Sequence, residues 1–114
     1  MKKTGKLDYL EMSATGATLD RTKAFYSAAF GWSFTDYGPT YAAFDEGLEG
    51  GFQADTSEAR PAPLPVLYSE ELDATLAAVE AAGGVILQPI YSFPGGRRFH
   101  FRDPAGNELA VWGE

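Results

Sequence analysis

The chain holds a single histidine, His100, in the run Arg97-Arg98-Phe99-His100-Phe101-Arg102. Glu108 follows it across an Asp103-Pro104-Ala105-Gly106-Asn107 turn. Strand side chains alternate between faces, so Arg98, His100 and Arg102 share one face, and Glu108, Ala110 and Trp112 share one face of the next strand. Glu108 reads as a rim residue that selects a ligand or pairs with an arginine, whereas a dyad of His100 with Glu11 would be an acid/base pair in which the carboxylate fixes the tautomer. An arginine can clamp a ligand carboxylate through two parallel hydrogen bonds. Near the other end lies Glu11, within "YLEMS". An acid on a half-buried strand is costly unless it is paired or serves as a base with a raised pKa. Glu11 and His100 are therefore the candidate catalytic pair. The structural alternatives are an ion pair of Glu11 with Arg98, a hydrogen bond from Tyr9, and a packed strand histidine. Tyr9, Leu64, Tyr68, Arg98, Glu108 and Trp112 are the candidate ligand-binding residues, the aromatics by stacking on a flat or cationic group.

Composition removes several other chemistries. There is no cysteine, hence no disulfide, thiolate nucleophile or thiolate metal site. One histidine cannot build a His-rich zinc site within one chain. Sixteen acids against nine Lys plus Arg give a net charge of −7, which opposes binding to a nucleic-acid backbone. No apolar stretch approaches the ~18 residues of a membrane helix. The opening "MKKTGK" lacks the apolar segment of a secretory signal. A cytoplasmic protein with a small-molecule ligand, and with neither nucleic acid nor membrane as partner, is expected. "FPGGRR" (Phe93 to Arg98) reads as a loop at the mouth of a cleft rather than a phosphate nest, since no P-loop Lys-Ser/Thr follows. No Gly-x-Ser-x-Gly elbow supports serine hydrolase chemistry.

The elements that must position these residues occur twice. One helix is expected from about Leu19 to Phe30, with Thr22, Phe25, Tyr26, Ala29 and Phe30 on one stripe, Thr18 as cap and Asp20 in the first turn. A second runs from about Glu70 to Ala82, with Leu72, Leu76 and Val79 as its stripe, Ser69 as cap and Gly83 as stop. Leu19–Gly31 and Leu72–Gly84 are identical at seven of thirteen positions, which indicates an internal duplication. Each helix follows one strand candidate ("KLDYLEMSA", "LPVLYS") and precedes three ("WSFTDYG", "TYAAFDE", "GGFQAD"; "VILQP", "RRFHFRD", "ELAVW"). The expectation is a single α+β domain over residues 1–114. Module one covers about 6–54, a Pro-rich linker about 55–63, and module two about 64–114. The two βαβββ modules would form a curved mixed sheet around a cleft, with helices outside.

"YLEMSAT", "LDRTKAFYSAAFGWSFTDYG", "LDATLAAVEAAGG" and "FHFRDPAGNELAVW" together resemble the vicinal oxygen chelate superfamily, the glyoxalase, bleomycin-resistance and extradiol-dioxygenase group. The resemblance implies metal ligands on the first, fourth, fifth and eighth strands. Here those positions hold Tyr9, Gly51 or Gln53, Leu64 and Ala110. Such residues do not make a divalent site, which needs several acids or imidazoles together. No metal site and no cofactor are therefore expected. The resemblance implies a glyoxalase/bleomycin-resistance-like protein that binds a small molecule without the usual metal, and a homodimer. The alternative it implies is a lyase, isomerase or dioxygenase relative using Glu11 and His100 or a reduced metal site.

Overall fold

A computed structural model describes residues 2–55, 57 and 63–114. Most of the expected linker, residues 56 and 58–62, lies outside the described residues. The elements in chain order are β1 (Leu7–Ser13), a short 3-10 turn (Gly16–Thr18), α1 (Leu19–Phe30), β2 (Thr35–Asp36), β3 (Tyr41–Asp45), β4 (Glu49–Gln53), β5 (Leu64–Tyr68), α2 (Leu72–Ala81), β6 (Val85–Phe93), β7 (Gly96–Arg102) and β8 (Glu108–Gly113). The class is α+β, with two βαβββ modules and mixed strand pairing. The chain divides into two compact units. One is Tyr9–Leu64; the other joins the segment ending at Asp8 to Pro65–Glu114.

In the N-terminal unit the strand order is β2-β3-β4-β1, antiparallel except for the parallel pair β1·β4. One face carries the core: Ala14, Leu19, Ala42, Phe44 and Phe52, joined by Met12, Tyr26, Trp32 and Phe34. Aromatic rings fill it, with Tyr26 stacked on Trp32 at 4.6 Å and Trp32 against Phe44 at 4.8 Å. Burial and ring geometry reinforce each other in such a cluster. The helix bounds are as expected, but the stripe is narrower. Leu19 and Tyr26 face the core, whereas Phe25 and Phe30 are 57% and 66% exposed and lie ring to ring on the outer side. Thr18 occupies the cap position without capping. Its hydroxyl donates back to the Thr15 carbonyl at 2.6 Å, because the preceding 3-10 turn leaves that carbonyl within reach.

In the C-terminal unit the order is β5-β8-β7-β6, with β5·β8 parallel and the rest antiparallel. Leu72, Phe99 and Val111 form its core, with Leu76 and Val79 of α2 and Phe101 packed on it. The expected stripe of α2 therefore does face the sheet. This helix starts two residues later than expected, and Glu71 holds the cap position. Ser69 still serves the helix start: its Oγ accepts the Glu71 N–H at 3.0 Å and pairs with Thr75 Oγ1 at 2.6 Å.

The β7–β8 connection is built by Asp103. Its Oδ1 accepts the Ala105 and Asn107 N–H groups, each at 2.9 Å, and its Oδ2 accepts the Asn107 amide at 3.0 Å. These bonds, the Asn107 side chain first, hold the Asp103 carboxyl below the usual aspartate range. The turn fixes the ladder that pairs Arg102 with Glu108, His100 with Ala110 and Arg98 with Trp112.

Two adjacent glycines in β4 test the packing of the N-terminal unit. A methyl group on Gly50 would lie 2.2 Å from the Leu10 carbonyl oxygen, which belongs to the β1·β4 ladder. One on Gly51 would lie 2.3 Å from the Tyr41 hydroxyl, a side chain that can turn aside. Gly50→Ala is expected to lower stability by at least about 2 kcal/mol, and Gly51→Ala by less. Urea unfolding midpoints of the two variants check the order; equal losses would contradict this packing.

Candidate functional site

His100 is fully buried, and both of its ring nitrogens are engaged. Nδ1 lies 2.9 Å from Glu108 Oε2, and Nε2 lies 2.9 Å from the Tyr91 hydroxyl. An ionised Glu108 accepts only, so Nδ1 carries a proton; with the ring neutral, Nε2 accepts the Tyr91 O–H. The Tyr91 oxygen in turn accepts the Arg98 Nε–H. A directed chain results, Arg98 to Tyr91 to His100 to Glu108, with each group held by the next. The Arg98 guanidinium carbon lies 5.6 Å from the ring centres of both Tyr91 and Phe93. These are cation–π distances, which fix the plane of the fork.

The ladder explains why these side chains meet. Arg98 pairs with Tyr91 on one side and Trp112 on the other, and His100 pairs with Gln88 and Ala110. Val66 and Tyr68 of β5 pair with Ala110 and Trp112. All of these share the face opposite the α2-packed core. Trp112 stands edge-on to Tyr68 at 5.2 Å and to Phe93 at 6.4 Å. Its indole N–H donates to Asp8 at 2.9 Å, and Asp8 also holds Lys2 at 3.0 Å. The face thus has a charged hydrogen-bonded centre and an aromatic flank.

In the N-terminal unit a second polar chain occupies the face opposite its core. The Tyr9 and Tyr41 hydroxyls are 2.7 Å apart, and Tyr41 donates to Glu11 Oε1 at 3.3 Å. Glu11 is only 7% exposed. Desolvation is the largest cause raising both phenols above the usual tyrosine value, with the Glu11 charge adding to it. The structure therefore brings together His100, Arg98 and Glu108, with Tyr68 and Trp112 alongside, in one unit. Tyr9 and Glu11 meet in the other. Leu64, 2% exposed, is a packed apolar side chain.

Two of the network's members escaped the sequence reading, Tyr91 and Tyr41. The signal for Tyr91 was available: a hairpin turning at Pro94-Gly95 pairs Phe93 with Gly96 and hence Tyr91 with Arg98. Tyr41 had no such signal, since it reaches diagonally across the ladder to the space above Gly51.

The positions that the resemblance marks for metal ligands can be tested singly. Leu64 and Ala110 are apolar and buried, and the space above Gly51 is taken by the Tyr41 phenol. Among the described residues no group of three His, Asp or Glu side chains lies together. This donor set does not fit a divalent ion. Among the described residues no helix is long and apolar enough to cross a membrane.

The sequence pattern of the Glyoxalase/Bleomycin resistance protein/Dioxygenase superfamily matches residues 6–111. No curated protein matches the chain. Solved structures do. A Legionella pneumophila protein described as an NAD-dependent benzaldehyde dehydrogenase superposes with a TM-score of 0.74 at 17% identity, covering 92% of this chain and 96% of that one. A methylmalonyl-CoA epimerase variant from Streptomyces coelicolor, in complex with 2-nitronate-propionyl-CoA, gives 0.73 at 14% identity, covering 98% and 99%. The Mn(II)-bound glyoxalase of Novosphingobium aromaticivorans gives 0.67 at 21% identity; the match covers 99% of this chain and 40% of that longer one. At these identities the likeness is one of fold.

The raised phenols make a pH prediction. An unfolded tyrosine ionises near pH ~10, whereas folded Tyr9 and Tyr41 keep their protons to higher pH. The native state then binds more protons than the unfolded one, so their contribution is full below pH ~10 and is lost as pH rises beyond it. Stability measured by urea unfolding is expected to fall above that pH, and to fall less steeply in Tyr41→Phe. Parallel profiles for the two proteins would rule out this role for Tyr41.

Proposed function

Because the chain belongs to the glyoxalase/bleomycin resistance protein/dioxygenase superfamily, we propose that it binds a small molecule without the divalent metal of the family's enzymes. The ligand lies on the His100 face of the C-terminal unit. The observation that carries this reading is the complete Arg98–Tyr91–His100–Glu108 chain beside Trp112, Tyr68 and Phe93. A part-buried polar chain centred on a buried imidazole is costly to build and rigid once satisfied. It sets fixed polar groups beside a flat apolar wall, which is what small-molecule sites combine. The apolar and glycine residues at the ligand positions support the metal-free part.

A second reading is an enzyme, a lyase, isomerase or dioxygenase relative. It is favoured by the His100–Glu108 pair, which has the geometry of an acid/base couple. In it His100 exchanges protons and the buried Glu11 is the second candidate base. The proposal also includes a cytoplasmic homodimer; the exposed rings of Phe25 and Phe30 supply apolar surface for a second copy.

A thermal-shift screen of the full chain against a mixed library of small aromatic acids, amides and amines tests the binding reading. At least one compound is expected to raise the melting temperature, as a ligand of the native state must. Arg98→Gln and Trp112→Ala are expected to abolish that rise. A rise unchanged in both variants would move the ligand elsewhere. Stoichiometric metal in the untreated protein would end the metal-free part. Any turnover that survives both Glu11→Gln and His100→Ala would end the enzymatic reading as stated.

A further inference from the structure

We infer that the pocket carrying Lys3 and Lys6 is an anion subsite, which takes the phosphate group of an aromatic ligand whose ring lies against Trp112. This deepens the reading above and rests on it. The ligand class is an aryl phosphate.

The opening "MKKTGK" is basic in a chain of net charge −7, and none of it belongs to the Arg98–Tyr91–His100–Glu108 chain. Its backbone is anchored. The Gly5 N–H donates to the Tyr68 carbonyl at 2.8 Å, and the Tyr68 N–H donates to the Lys6 carbonyl at 3.1 Å. The Lys6 N–H closes a turn on the Lys3 carbonyl at 3.2 Å, with Gly5 inside it at φ +81°. Glycine takes a positive φ without steric cost. Thr4 Oγ1 accepts the Glu70 N–H at 2.9 Å. The turn is thereby tied to the end of β5 and to the segment before α2. Both lysines start from fixed backbone positions.

Lys2, Lys3, Lys6, Leu7 and Asp8 line a pocket of about 150 Å³. Whole small-molecule sites occupy about 300–1,000 Å³. This pocket therefore takes one group of a ligand rather than the whole of it. Charge names the group. Asp8 is the one acid in the lining, and it is engaged. Its oxygens lie 3.0 and 3.1 Å from Lys2 Nζ, and Oδ2 also accepts the Trp112 indole N–H at 2.9 Å. Lys2 and Asp8 thus offset each other. Among the described residues no carboxylate forms an ion pair with Lys3 or Lys6. Two positive charges remain to be matched, and a phosphate monoester carries nearly two negative ones at neutral pH. An ammonium group has three rotatable donors, which suit phosphate oxygens.

The aromatic part follows from what adjoins the pocket. Lys2 Nζ lies 5.5 Å from the centre of the Trp112 ring, and Asp8 holds the indole N–H. One carboxylate therefore joins the pocket wall to the indole. Tyr68, whose backbone holds the lysine turn, stands edge-on to Trp112 at 5.2 Å. A ligand with its phosphate in the lysine pocket lays its ring on this flank and leaves the Tyr91–His100 bond intact.

Phenyl phosphate is the probe, with phenol as its uncharged counterpart and inorganic phosphate as the bare anion. NMR titration of the nitrogen-15-labelled full chain reads the backbone amides of Lys3 and Lys6 and the indole N–H of Trp112, which Trp112→Phe assigns. Phenyl phosphate is expected to move all three signals and to bind at least about fivefold tighter than phenol. Inorganic phosphate is expected to move the lysine amides alone. Raising sodium chloride from about 20 to about 300 mM is expected to weaken phenyl phosphate and to leave phenol unchanged, because exposed charges are screened. The double variant Lys3→Gln, Lys6→Gln is expected to lose the advantage over phenol. Both side chains are exposed, and an unchanged urea midpoint shows that the variant folds. Phenyl phosphate binding no tighter than phenol overturns the inference. So does an advantage that survives in the double variant, or a shift confined to the Trp112 indole. Each of these leaves the small-molecule reading standing; only a negative library screen as well would remove the reading beneath it.

Discussion

The register of the β7–β8 hairpin is the constraint on which the C-terminal unit depends. Asp103 sets it by holding the Ala105 and Asn107 amides, and the ladder then places His100 beside Ala110 with Glu108 on the diagonal. Strand side chains repeat every two residues, so a slip of one would exchange the faces. A slip carried by β7 would take Phe99 out of the α2-packed core and bring Arg98 and His100 into it. The core and the polar chain are thus specified by one choice. Hydrophobic burial on one face enforces the alignment of hydrogen-bonding groups on the other.

The internal duplication shows how one scaffold holds two different polar chains. The ladders make β4 the counterpart of β8, and β3 that of β7. Gly51 then corresponds to Ala110, and both are small. Each small residue has a ring close by: Tyr41 over Gly51, and His100 across from Ala110. In both units the ring's polar atom ends on a carboxylate, Glu11 in one and Glu108 in the other. Of the positions that the resemblance marks for ligands, Leu64 and Ala110 carry no donor atom, and the space above Gly51 is taken by the Tyr41 phenol. The volume next to them holds phenol and imidazole instead.

Much of this was legible in the sequence because it depends on period. Alternation along "RRFHFR" and "ELAVW" assigns Phe99 and Val111 to the core and His100 and Glu108 to the opposite face, and the structure agrees. The α2 stripe was equally clear. What escaped is whatever depends on a particular reach. Phe25 and Phe30 fit a helical stripe, but the apolar face of α1 is satisfied by Leu19 and Tyr26 alone, because Trp32 folds back to cover the rest. Tyr41 crosses the ladder diagonally to a glycine, and no spacing rule announces that. Tyr91 could be paired with Arg98 by counting out from the hairpin, but its bond to His100 depends on the irregular register between Gln88 and Tyr91.

The completeness of the polar chain has a consequence for selectivity. Among the described residues no buried side-chain nitrogen or oxygen lacks a partner. A site already satisfied gains nothing from a ligand that merely fills space beside it. Such a ligand must leave the Tyr91–His100 bond intact, and it binds only through the aromatic flank. A ligand that enters the chain must replace every bond it breaks, since each orphaned group inside costs more than a new bond returns. On the binding reading proposed above, discrimination would fall on hydrogen-bonding pattern before shape, as in sites built to reject an analogue that lacks one polar atom.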